Sequence, residues 1–73
     1  MGDLMAKNLY VTNFIFPHKC YTEYSWAYSS KQAYYTCAKR VARKQDIPVS
    51  VVLDYFKKNK DKVNTAIEIE MED

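Results

Sequence analysis

The order in which the hydrophobic period changes along the chain is the feature that most limits its fold. Residues 9–16 and 20–28 are rich in β-branched and aromatic side chains and predict two strands of a hairpin. Two segments with apolar residues at helical spacing follow, and residues 63–71 return to a period of two. The sequence therefore predicts an α+β fold with a three-stranded sheet in the order β-β-α-α-β.

The two central segments carry the signals of helices joined by a short turn. Ser29 precedes the first as an N-cap, with Gln32 at capping-box spacing. Pro48 restarts the chain as a second helix, which should end near Asn59. The first helix is amphipathic, with an apolar arc opposite a basic arc. The apolar arc contains Tyr34, Cys37, Ala38, Val41 and Ala42, and the basic arc contains Lys39, Arg40, Arg43 and Lys44.

Two helices can cover only one face of a three-stranded sheet, so we expect both helices on one face and an open face opposite. Large apolar side chains occur on both faces of the hairpin. On the first strand, Leu9, Val11 and Ile15 point one way and Tyr10, Phe14 and Phe16 the other; on the second, Cys20, Tyr24, Trp26 and Tyr28 form an apolar row opposite Glu23 and Ser25. An open apolar face of this kind usually marks a contact site.

Length and composition bound the remaining possibilities. With 73 residues, 48% of them hydrophobic, the chain should form one ordered domain, residues 1–73, in which residues 1–7 are flexible. Basic residues concentrate in residues 29–62, whereas the charged residues after position 67 are all acidic. Neither a signal segment nor a membrane-spanning run is recognisable, so we expect a cytoplasmic protein with reduced cysteines and no membrane partner.

Residues 41–56, VARKQDIPVSVVLDYF, resemble the core of a helix-turn-helix. Ala42 stands where that motif needs a small residue. The apolar positions of the motif are filled by Ile47, Val52 and Tyr55. Asp46 replaces the customary turn glycine, and the positions that would face bases are mostly apolar or acidic. A helical hairpin of ordinary packing is therefore the preferred interpretation. The alternative is a nucleic-acid-binding protein that uses the basic arc of the first helix.

Residues 8–14, NLYVTNF, are similar to the first aromatic motif of the RNA-recognition family, in which a strand aromatic stacks on a base. That family has a helix directly after this strand and a second aromatic motif on its third strand. This chain predicts a hairpin instead and contains no second motif. We therefore interpret the segment as ordinary strand composition.

The acidic end of the chain suggests a further alternative, imitation of nucleic acid. A two-residue strand step of roughly 6.6 Å is close to the phosphate spacing along one DNA strand. The acids that would form such a row are Glu68, Glu70, Glu72 and Asp73. A solvent-facing edge strand would have the same composition.

Candidate catalytic and metal sites are sparse. His18, Cys20 and Cys37 offer three soft ligands without a fourth, whereas a structural zinc site needs four at recognisable spacing. One histidine and no nucleophile or paired carboxylate at motif spacing predict neither a catalytic triad nor an acid-base pair. We expect no enzyme activity, no cofactor and no metal.

These observations together predict a small non-enzymatic module that binds another protein through the aromatic face of its sheet. Interfaces favour Tyr, Trp, Phe and Arg. The residues predicted to contact the partner are Phe14, Tyr24, Trp26, Tyr28 and Arg43. A homodimer through the same face is the simplest version of this hypothesis.

In general make-up, short, rich in tyrosine and lysine, and without a catalytic signature, the chain also resembles the small orphan early proteins of lytic bacteriophages. That resemblance is one of genre and transfers no functional residue. It implies a stoichiometric inhibitor or modulator of a host machine for replication, transcription or proteolysis, acting in the host cytoplasm.

Overall fold

The computed structural model describes residues 7–69 and confirms the predicted α+β fold. The elements are, in chain order, β1 (Asn8–Ile15), β2 (Cys20–Ala27), α1 (Ser30–Gln45), α2 (Val49–Lys58), a 3₁₀ turn (Lys60–Lys62) and β3 (Val63–Ile69). Residues 1–6 of the segment expected to be flexible (residues 1–7) lie outside the described residues, as do residues 70–71 at the end of the predicted third strand.

The sheet is antiparallel and has the strand order β2-β1-β3, so β1 is the central strand. In the two ladders, Val11 lies opposite both Tyr24 of β2 and Ala66 of β3. The β1–β3 register shifts once, because Tyr10 pairs with Ile67 and Leu9 pairs with Ile69. Position 68 is therefore the extra residue of a β-bulge.

The predicted N-cap of α1 is confirmed. The backbone N–H of Gln32 donates to Ser29 Oγ at 3.2 Å. In a regular capping box the side chain of the third helical residue accepts from the N-cap N–H. Here Gln32 Oε1 accepts from the N–H of Tyr28 at 2.7 Å, one residue earlier. The glutamine thus ties the end of the hairpin to the first turn of α1.

The turn between the helices is a Schellman motif centred on Asp46. The N–H of Asp46 donates to the carbonyl of Arg43 at 3.1 Å, and the N–H of Ile47 donates to the carbonyl of Ala42 at 3.0 Å. Asp46 has φ 58° and ψ 45°, the left-handed conformation that usually selects glycine. Within residues 7–69 it is the only residue with a positive φ.

The core lies between the sheet and the two helices, which pack on the same face. Phe14 of β1 is fully buried and contacts Phe56 of α2 with ring centroids 5.3 Å apart. Phe16, just after β1, also contacts Phe56, at 4.9 Å. The side of α1 that faces the sheet carries small residues, which allow the helix to approach closely. Its buried residues are Ala33, Cys37, Ala38, Val41 and Ala42.

Replacing Asp46 by glycine should stabilise the protein by about 0.5–1 kcal/mol, since glycine adopts the left-handed conformation without the steric cost of a Cβ. The substitution also removes a carboxylate from the negative end of α1. Chemical denaturation of the wild type and of Asp46→Gly measures the difference. Asp46→Ala is the matched control and should lower the free energy of unfolding. A glycine variant less stable than the wild type would show that the carboxylate makes a necessary contact.

Candidate binding surface on the open face of the sheet

The face of the sheet covered by α1 carries a row of polar side chains. Residues directly opposite each other in an antiparallel ladder share a face. Thr12 lies between Glu23 of β2 and Thr65 of β3, and all three lie on the helix side. Thr12 is completely buried, and its Oγ1 is 3.0 Å from Thr65 Oγ1. Ser25 is buried beside Tyr10 in the next row.

Two basic side chains of α1 make polar contacts with β2. Lys44 Nζ pairs with the Glu23 carboxylate, whose side chain is 10% exposed. Arg40 donates through Nη1 to the backbone carbonyl of Tyr24. A buried carboxylate is stable in the charged form only with a partner of this kind. The Lys44–Glu23 pair therefore stabilises Glu23 under α1, and the neighbours of Glu23 in sequence point to the other face.

The opposite, open face has an apolar centre. Trp26 lies opposite Leu9, and Tyr24 lies in a row with Val11 and Ala66. Tyr24 is 48% exposed and Trp26 is 50% exposed. We call this set, Leu9, Val11, Tyr24, Trp26 and Ala66, the open-face patch.

Polar groups and one further ring border the open-face patch. On one side, Thr22 Oγ1 donates to Asn13 Oδ1 at 2.8 Å, and Asn64 is paired with Asn13 in the ladder to β3. On the other side Tyr28 is exposed, and Lys7 Nζ lies 5.4 Å from the centre of its ring. An apolar centre with a polar border is the usual anatomy of a protein interface.

Three of the five residues predicted to contact a partner, Tyr24, Trp26 and Tyr28, are exposed as expected; their contact with a partner stays a prediction. The exposure expected of Phe14 was wrong. Phe14 is 0% exposed, since the even positions of β1 face α1 and place this ring against Phe56 and Tyr34.

Arg43 is exposed but does not belong to the open face. It lies on α1 and lines a groove of about 650 Å³ beside the Asp46 turn, together with Lys39. Because α1 covers the other face of the sheet, Arg43 does not share the open face with Trp26. Its contact with a partner stays a prediction.

The basic arc of α1 is exposed, as predicted, but most of it is occupied by contacts within the chain. Arg40 and Lys44 hold β2, and Lys39 Nζ lies 4.9 Å from the centre of the Tyr35 ring. Further along the chain, Lys58 pairs with Asp54 at 3.4 Å. A phosphate backbone would have to compete with these contacts, which weakens the nucleic-acid alternative.

Glu68 is the one member of the predicted acidic row that the structure describes. It is exposed and sits at the β-bulge of β3. The other three members, Glu70, Glu72 and Asp73, lie outside the described residues. Imitation of nucleic acid therefore stays a prediction.

The three candidate metal ligands do not come together. Within residues 7–69, no group of three His, Cys, Asp or Glu side chains could hold a metal ion. Cys20 is an exposed free thiol, and Cys37 is a buried one. Burial raises the pKa of the Cys37 thiol, against a smaller opposite effect of its hydrogen bond with Thr12. Its reactive thiolate form is accordingly disfavoured. Neither described helix has the length and hydrophobicity needed to span a membrane.

Sequence reasoning missed the part that β3 plays in this surface. Ala66 extends the open-face patch to a third strand, and only the register shows this. The usable signal was the size of the α1 side chains, since a helix face built of alanine and cysteine fits against the aromatic side of β1. That signal would have directed Phe14 inward and left Leu9 and Val11 with Trp26 outside.

Replacing Lys44 by methionine should destabilise the protein by about 1–2 kcal/mol, because it leaves the Glu23 carboxylate under α1 without its partner. Lys39→Met is the matched control on the same helix and should change stability by less than about 0.5 kcal/mol. Thermal or chemical denaturation of the two variants gives the comparison. Equal effects would indicate that Glu23 is sufficiently solvated without Lys44.

Comparison of the chain with protein-family models, with curated proteins and with solved structures found no match.

Proposed function

We propose that this chain is a non-catalytic module that binds another protein through the open-face patch. One observation supports this proposal above the others: large aromatic side chains stay exposed on the open face, although polar side chains of the same strands are buried on the helix side. Glu23, Ser25 and Thr12 are buried on the helix side, while Trp26 and Tyr24 stay half exposed on the open side. Isolated two-layer domains normally bury the apolar face and leave the polar face in water. A partner on the open face would complete a third layer.

The size of the open-face patch sets a limit on this contact. Two half-exposed aromatic rings supply roughly 200 Å² of removable surface. A standard protein interface buries roughly 800 Å² on each partner. The contact should therefore extend over the rest of the sheet face and onto Tyr28, with Trp26 as its central anchor.

The same face is poorly suited to nucleic acid. Single-stranded nucleic acid requires cations beside the rings on which bases stack. The strands Asn8–Ile15, Cys20–Ala27 and Val63–Ile69 contain no lysine or arginine. Lys7, over the Tyr28 ring at the border, is a cation beside this face, whereas the basic arc of α1 is on the other side of the sheet. A protein partner with an apolar patch and amide groups at its border matches this chemistry better.

A module of this kind acts by occupying a surface of its partner, in a fixed ratio and without turnover. This is the mode of action that the resemblance to early phage proteins implied. Under that proposal the partner belongs to a bacterial machine for replication, transcription or proteolysis, and binding inhibits or redirects it.

Substituting the exposed rings of the open-face patch should weaken partner binding at least tenfold, since central aromatic anchors contribute about 2 kcal/mol or more. The variants are Trp26→Ala and Tyr24→Ala. Tyr35→Ala is the matched control, because Tyr35 is 44% exposed but lies on α1. Affinity capture from a nuclease-treated bacterial lysate identifies partners, and titration of the purified partner measures the loss.

A second measurement uses the single tryptophan of the chain. Binding should blue-shift the Trp26 fluorescence and protect the ring from acrylamide quenching, because the indole ring is then removed from water. If Trp26→Ala and Tyr24→Ala bind the partner with wild-type affinity, the contact lies elsewhere and the proposed surface is rejected. A larger loss of affinity in Tyr35→Ala than in these two variants would have the same meaning.

The nucleic-acid alternative predicts a different response to salt. Phosphate contacts lose affinity steeply between 50 and 200 mM salt, whereas an aromatic protein interface changes little. We expect partner binding to be nearly constant over this range and unchanged in Lys39→Glu and Arg43→Glu, which alter the basic arc but not its contacts with β2. A strong salt dependence together with loss of binding in these variants would favour the nucleic-acid function.

A further inference from the structure

We propose that the free edge of β3 pairs with β3 of a second copy, antiparallel and centred on Thr65, to give a two-fold dimer with a six-stranded sheet. This contact uses an edge of the sheet and leaves the open-face patch uncovered. It is therefore independent of the protein-binding function proposed above. Three features of β3 support it: its unpaired edge, its self-complementary charge, and an exposed side chain that matches a neighbouring groove.

The two edges of the sheet differ in their protection. At the β2 edge, the Arg40 side chain donates a hydrogen bond to the backbone carbonyl of Tyr24. At the β3 edge, no described residue pairs with the strand. Unpaired edges are the usual sites at which chains add strands to one another.

The alternation of the ladders shows which β3 groups point to this edge. Because Arg40 reaches the Tyr24 carbonyl, that carbonyl points away from β1. In antiparallel ladders the orientation alternates from residue to residue. Val11, opposite Tyr24, therefore bonds to Ala66, and Thr65 points its backbone groups to the free edge. The residues oriented in this way are Val63, Thr65 and Ile67.

The sequence of β3 complements itself when read in reverse about Thr65. An antiparallel pair centred there places Val63 opposite Ile67 and Thr65 opposite its own copy. Both pairs join residues oriented to the edge, as a hydrogen-bonded ladder requires. The flanking pair is Lys62 with Glu68, opposite in charge. Within residues 7–69 neither of these two has an ion-pair partner.

An exposed apolar side chain at one end of β3 matches an apolar groove at the other end of the strand. Ile67 is 46% exposed although it lies on the helix side of the sheet, opposite the buried Tyr10. At the other end of β3, Val63 borders an apolar groove of about 390 Å³. The groove is lined by Tyr34, Leu53, Phe56, Lys57, Lys60 and Val63. Since the pairing places Ile67 of each copy beside Val63 of the other, it brings each isoleucine to the partner's groove.

A second copy satisfies these features better than an unrelated strand. The charge pattern, the Val63–Ile67 pair and the groove all repeat under one two-fold axis, which is the property of an isologous interface. That axis is perpendicular to the sheet, so both open-face patches would point the same way. A dimer would thereby present two binding surfaces to one partner assembly and gain avidity.

Charge reversal tests the register of the proposed dimer in the full chain. Sedimentation equilibrium of the wild type should show a mass rising with concentration from 8.6 kDa toward twice that value. Lys62→Glu and Glu68→Lys should each weaken dimerisation about tenfold, as like charges then meet at both flanks. An equimolar mixture of the two variants should restore it, because every flanking pair becomes complementary again. Lys31→Glu, the same charge change at the exposed start of α1, should have no effect.

Two further measurements examine the groove and the ladder. Ile67→Ser should weaken dimerisation at least tenfold, whereas Val51→Ser, at an equally exposed position on α2, should not. In a mixed isotope-labelled sample, Asn64 of one copy should show an intermolecular Hα–Hα contact with Ala66 of the other. Pairs without direct hydrogen bonds bring their Cα atoms within about 4.5 Å.

Three results would overturn this proposal. The first is a protein that stays monomeric at every accessible concentration. The second is a dimer that survives both charge reversals but is lost in Trp26→Ala, since the copies would then meet through the open-face patch. The third is failure of the mixed charge variants to associate better than either variant alone.

Discussion

The rest of the structure depends on which face of the sheet α1 covers. Two polar contacts support the observed side: Lys44 pairs with Glu23, and Arg40 donates to the Tyr24 carbonyl. With Glu23 directed under the helix, the period of two directs Tyr24 and Trp26 outward. The small residues along α1 then allow Phe14 to fill the core. A shift of one strand by one residue in its register would move all its buried side chains to the open face and all its exposed side chains to the helix side.

Most of the local structure could be predicted from sequence because it follows from local chemistry. The Ser29 cap, the end of α2 near Asn59 and the short turn before Pro48 each rest on a few adjacent residues. The side on which the helices pack could not be predicted in the same way. It depends on pairs distant in sequence, such as Glu23 with Lys44, and alternation alone is symmetric between the faces. This is why Phe14 was assigned to the exposed surface although it is buried, while Trp26 is exposed as expected.

The turn at Asp46 shows a related limit. Absence of glycine from residues 41–56 argued against a helix-turn-helix, yet the left-handed turn conformation is present without glycine. Asp and Asn reach this region more readily than other residues with a Cβ. The missing glycine therefore does not by itself argue against that motif. The surface beyond the turn still lacks the polar groups with which a recognition helix reads bases.

The polar row under α1 and the apolar open face have a common energetic consequence. A chain of 73 residues has a small core, and burying Glu23, Thr12 and Ser25 adds little favourable transfer energy to it. Contacts made only by the folded state, on the open face or along the β3 edge, add to stability in proportion to the logarithm of partner concentration. Under the proposed binding function, a partner that covers the exposed rings of Tyr24 and Trp26 would supply the apolar burial that the small core lacks. A sheet with a wholly polar open face would have no such surface to offer.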